Sequence, residues 1–108
     1  MTVKESGGKV NITMTRGDSE SITVRCSEAF VNGDAVYFTV REDAESPIVL
    51  QKTVTEFEDG AVIGLAPADT EPMDFGEYVY DIQVTRADGT VTTLVKPSKF
   101  KLLEEVTY

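Results

Sequence analysis

The sequence holds no histidine and no tryptophan, and a single cysteine, Cys26. Without histidine there is no imidazole to serve as general base, to ligate a metal or to activate a serine or cysteine nucleophile. With one cysteine, no disulfide can close within the chain. That suits a reducing compartment, or a fold stable without bridges. Basic residues are scarce too: 10 Lys and Arg stand against 19 Asp and Glu, a formal charge of −9. Nucleic acid is thereby disfavoured as a partner, because Lys and Arg on phosphates supply most of that affinity. Anionic membrane surfaces are disfavoured for the same reason. The charge reads as solubility and self-repulsion. No apolar run reaches the length of a membrane span or a signal-peptide core, so synthesis in the cytoplasm without a signal peptide is expected.

A helical period is also missing: no stretch of ten or more residues repeats every 3.6 positions. Alternation with period 2 takes its place. Val10, Ile12 and Met14 alternate with Asn11, Thr13 and Thr15. Ile22, Val24 and Cys26 form the inward row of a second strand, and Val36, Phe38 and Val40 that of a third, with Tyr37, Thr39 and Arg41 pointing outward. Ile48, Leu50 and Val54 mark a less regular fourth strand, and Asp59-Gly60 is a hairpin-type turn into Ala61–Leu65. Between Ala66 and Asp74 the period is lost, and Pro67 and Pro72 predict one tight turn crossing between sheets. Tyr78, Tyr80, Ile82 and Val84 then alternate with Val79, Asp81, Gln83 and Thr85, and Ala87-Asp88-Gly89 turns the chain back into a last strand. Pro97 marks a bulge or switch at a sheet edge.

Seven short strands at such spacing predict an all-β, two-sheet antiparallel sandwich without a disulfide. A chain of 108 residues makes one domain, assigned to residues 9–104, behind a loose polar lead-in at residues 1–8. Cys26, inside a strand row, is expected to act as a small apolar side chain packed near Phe38 and Tyr80.

Few constellations here carry chemistry. Paired carboxylates for glycoside cleavage need a sugar-lined cleft, whereas these acids fall in turns and outward strand positions. Calcium is weighed at Asp69, Glu71 and Asp74 and at Asp43 and Glu45, but neither group has EF-hand spacing. Solvated loop acids are the reading adopted. Arg16-Gly17-Asp18 is the tripeptide known from integrin ligands, read here as turn residues between the first two strands. No catalytic, cofactor-binding or metal residue is assigned. Lys96, Lys99 and Lys101 beside Pro97 are read as blunting the last strand against edge pairing, with partner docking as the alternative.

Asp74-Phe75-Gly76-Glu77-Tyr78-Val79-Tyr80 resembles the immunoglobulin-type corner Asp-x-Gly-x-Tyr-x-Cys. In that corner the Tyr hydroxyl bonds back to upstream backbone. The resemblance makes Tyr78 the corner tyrosine and puts Tyr80 in the place of the second cysteine. Cys26 falls where the first would lie, and Phe38 stands near the usual Trp position. Gly76 and Gly89 complete the framework residues, at the loop end before Tyr78 and in the hairpin.

A wider resemblance runs from about Asn11 to Phe100. Its motifs are Thr13 with Arg16-Gly17-Asp18, then Val36-Tyr37-Phe38 with Val40, then Gly76 with Tyr78 and Tyr80-Asp81-Ile82-Gln83. These resemble a group of short prophage-encoded proteins, themselves similar to the N-terminal immunoglobulin-like domain of the phage baseplate upper protein. That likeness implies a non-enzymatic, virion- or tail-associated module whose partners are other phage structural proteins, with homo-oligomeric assembly typical of the setting. It transfers no catalytic or ligand residue. The alternative is a carbohydrate- or surface-binding adhesin-type sandwich assisted by calcium.

Overall fold

The computed structural model describes residues 2–4, 9–26, 28–43, 45–57 and 60–104. Among them the chain forms β1 (Thr2–Lys4), β2 (Ile12–Thr15), β3 (Glu20–Arg25), β4 (Ala35–Arg41), β5 (Ile48–Val54), β6 (Ala61–Leu65), α1 (Pro67–Thr70), β7 (Gly76–Thr85) and β8 (Val91–Leu103). A three-stranded sheet, ordered β1-β3-β6, packs on a five-stranded sheet, ordered β2-β8-β7-β4-β5.

The period-2 pattern explains why these segments are strands and which face each one buries. Ile22 and Val24 of β3 and Ala61, Ile63 and Leu65 of β6 line the inner face of the small sheet. Val36, Phe38 and Val40, with Tyr78, Tyr80, Ile82 and Val84, line that of the large one. A register slip of one residue would turn every one of these side chains to solvent, so the burial itself sets the pairing. At the centre, Phe38 lies 5.3 Å from Tyr80 and 5.9 Å from Phe100, ring centre to ring centre, and Tyr80 lies 6.2 Å from Phe100. Tilted and edge-on rings of this kind add about 0.5–1.5 kcal/mol per pair beyond their area burial.

The seven expected strands are β2 to β8. β1 is an addition within the segment read as lead-in: its backbone pairs Thr2 with Thr23 and Lys4 with Arg25. The expectation of a wholly antiparallel sandwich needs correcting, since β1 runs parallel to β3 and β2 parallel to β8. Neither strand is joined to its partner by a tight turn, and only such a turn forces antiparallel pairing. β5 and β6 lie in different sheets, so the connection between them crosses over and does not close the hairpin expected there. Asp59 itself lies outside the described residues, as do Glu105 to Tyr108 of the expected tail.

β8 departs twice from regular pairing. Tyr80 pairs with Ser98, Ile82 with Val95 and Gln83 with Thr93, so β8 carries an extra residue in each interval. The first bulge contains Pro97, which cannot donate to a ladder. The second explains why the adjacent Leu94 and Val95 are both buried. The expected tight turn at Pro67 is a single α-helical turn. Proline begins it, and Asp69 Oδ2 accepts the Ala66 N–H at 2.7 Å. It carries the chain from the small sheet to the large one.

Candidate functional site

At the start of β7 the chain must leave a loop and enter the core. Gly76 does this at φ 143°, a conformation side-chain-bearing residues avoid. Two residues on, the buried Tyr78 donates its hydroxyl to the Asp74 carbonyl at 2.7 Å, which ties the loop down onto the strand. Burial, and then the charges of Asp74 and Glu42, raise its phenol above the ordinary value. Tyr80 is buried deeper, donates to the Val10 carbonyl, and is pushed up to about 12 by desolvation. Val10 in turn donates its N–H to Ser98 Oγ at 3.0 Å. The stretch before β2 is thereby held on β8 through side chains, beyond the end of its ladder.

Tyr78, Tyr80 and Phe38 thus lie in one core, and Cys26 packs against that core from its margin. The inward row of β3 ends at Val24, β3 itself ends at Arg25, and Cys26 follows half-exposed at the margin of the core. Its Sγ lies 3.5 Å from Arg86 Nη2, a donor. Cys26 therefore packs against the core as an apolar side chain does, but it follows the strand and does not lie in it. Beyond the strand, the Arg86 guanidinium takes the carbonyls of Glu28 at 3.1 Å and Ala29 at 3.3 Å.

Arg86 is the hub of this end of the sandwich. Its Nη1 meets Asp34 Oδ2 at 2.9 Å, and only 2% of Asp34 is exposed. The carboxylate also accepts the Val31 N–H at 2.9 Å and the Ala87 N–H at 3.0 Å. The Val31 bond foremost, with Arg86 and Ala87, holds Asp34 below the ordinary carboxylate value against the opposing effect of burial. The guanidinium lies 5.3 Å from the Phe30 ring centre, and Phe30 stacks on Phe57 at 5.0 Å. Gly89, at φ 92°, closes the hairpin that presents Arg86, its N–H bonding the Arg86 carbonyl at 2.9 Å. Beside this cluster opens a hollow of about 260 Å³ lined by Phe30, Val31, Asn32, Thr55, Glu56 and Phe57. Val31 is 57% exposed beside it.

Such an end is suited to presenting a shaped surface, since fixed loops lose little freedom on binding. The other candidates disperse. Asp69 is occupied by the Ala66 N–H and by Lys52 Nζ at 2.9 Å, and Asp43 Oδ1 accepts the Glu45 N–H at 2.9 Å. Among the described residues, no group of three or more His, Cys, Asp or Glu side chains is placed to hold a metal ion. Arg16-Gly17-Asp18 forms the turn between β2 and β3. Gly17 sits at φ 86° and donates its N–H to the buried Thr70 Oγ1 at 2.8 Å. None of the described helices is long and apolar enough to cross a membrane.

No protein-family model matches the chain, and no curated protein matches it in sequence.

Proposed function

We propose that the chain is a non-enzymatic immunoglobulin-like sandwich that serves as a building block or attachment module of a phage tail or baseplate, acting through protein–protein contacts. The observation that carries this reading is the Gly76–Gln83 segment. Its residues resemble the prophage proteins, and its Tyr78 hydroxyl reaches the Asp74 carbonyl as a tyrosine corner does. Strand order supports it as well: β8-β7-β4 beside β3-β6 follows the G-F-C and B-E arrangement of that fold. The fastened loop end built on Arg86 suits a part that must hold its shape in an assembly. Deleting the gene from an inducible lysogen tests the role. The yield of infectious particles should fall, and an unchanged yield would speak against it.

A further inference from the structure

The outer face of the large sheet carries cations in a chain that is otherwise strongly acidic. Val79 of β7 pairs with Arg41 on one side and Lys99 on the other, and Glu77 pairs with Lys101. Strand alternation places Arg41, Lys99 and Lys101 on the face away from the core, since Val40, Ser98, Phe100 and Leu102 are buried. Lys99 and Lys101 are exposed, and neither has an ion pair among the described residues. Two exposed lysines in a row, with Glu77 opposite Lys101 in the ladder, give a chain of formal charge −9 a local surface that favours carboxylates.

A surface of the opposite kind lies at the turn end of the same molecule. There a hollow of about 300 Å³ is lined by Val49, Pro72, Met73 and Tyr78, with Glu42, Asp69 and Asp74 around it. Asp69 already takes an ammonium, that of Lys52 at 2.9 Å, so this rim suits lysine. Glu42 and Asp74 both line the hollow, and after burial their charges raise the Tyr78 phenol against the opposing effect of Arg16. A lysine entering here would lay its methylene stem on Met73, Pro72 and Val49 and leave its ammonium between Glu42 and Asp74.

We propose that the occupant of each surface is a second copy of this chain: the Lys99/Lys101 strip of one molecule docks at the Glu42/Asp74 hollow of the next. The contact joins two different patches, so it closes as a two-fold dimer where both copies engage reciprocally and propagates into a ring or a filament where they do not. It holds whether or not the chain enters a virion.

Sedimentation velocity on the whole chain tests it. At about 0.1 M salt, where the ~10 Å Debye length screens net repulsion but leaves contact pairs intact, mass should rise with concentration. At about 1 M salt, with a Debye length of ~3 Å, it should return to monomer. Lys99→Glu/Lys101→Glu and Glu42→Lys/Asp74→Lys should each be monomeric alone, with circular dichroism like the parent's. Mixed together they should associate again as the parent does, because each reversed patch of one variant then meets its opposite charge on the other. A parent chain that stays monomeric at the lower salt, or a mixture that fails to pair, overturns the proposal. So does a lysine variant that associates as the parent does.

Discussion

Arg86 and Asp34 lie 52 residues apart in sequence, and their side chains meet at 2.9 Å. That contact fastens the loop before β4 to the hairpin after β7 and makes one unit of an end of the sandwich. Replacing either partner leaves the other with its bonds unmet, so Asp34→Asn and Arg86→Met should each lower the melting temperature by several degrees. The double variant should lose less than the two losses combined, since both remove the same interaction. Strictly additive losses in a thermal double-mutant cycle would contradict this coupling.

The same pair sets an acid limit. Asp34 is held below its ordinary 3.8, so the folded state binds its proton less readily than the unfolded chain does. Its stabilising contribution is therefore complete above 3.8 and is lost as the pH falls through the depressed folded value. Thermal melts from neutral pH downward should show the parent's advantage over Asp34→Asn shrinking only below that point.

Two hydroxyls anchor β7, and each can be removed by a single atom. Tyr78→Phe should cost about 1 kcal/mol, the net worth of one hydrogen bond. Tyr80→Phe should cost about 1–3 kcal/mol, because it leaves the Val10 carbonyl without its donor in a partly buried site. Urea titration gives both values. In a spectrophotometric titration of the folded chain, Tyr80 should be the late tyrosine, ionising near 12.

Much of the sandwich was legible from alternation alone, because a half-buried strand writes its burial into every second residue. The inward rows of β3, β4 and β7, the glycine of the hairpin and the bulge at Pro97 all follow from local chemistry. The parallel placing of β1 and β2 does not, since an edge strand joined by a long connection carries no turn to declare its direction. Arg86 and Asp34 were missed for a related reason. Each flanks a strand end and resembles an ordinary turn residue, and nothing local in sequence announces a partner 52 positions away. The hollow beside Phe30 and Phe57 depends on that fastening and was invisible with it.

Cys26 shows what the missed contact changes. Cys26 is partly buried against the core, yet its sulfur lies 3.5 Å from a guanidinium donor. A serine hydroxyl can accept from the same donor. Cys26→Ser should therefore cost about 0.5–1 kcal/mol in a denaturant titration, less than the ~1–3 kcal/mol of a buried polar group left without a partner. A markedly larger loss would show that the serine hydroxyl finds no partner at Arg86.

Asp81 makes the opposite case to Asp34. It lines a hollow of about 70 Å³ on the outer face of the large sheet with Thr39, Arg41, Val79 and Pro97. Burial raises its carboxyl above the ordinary 3.8, and Arg41 offsets only part of the effect. With a raised folded value, the ionised form penalises folding above that value, and the penalty vanishes below 3.8. Asp81→Asn should raise the melting temperature at pH 7 and match the parent near pH 3. A lowered melting temperature at pH 7 would assign Asp81 a stabilising role instead.

The functional account stands on membership of a virion. Particles from an induced lysogen, banded by density and digested for mass spectrometry, test this most directly. The account predicts peptides of this chain in the particle band, in constant ratio to the tail proteins across its fractions. Their consistent absence from particles, with the chain found only in the soluble lysate, would contradict it.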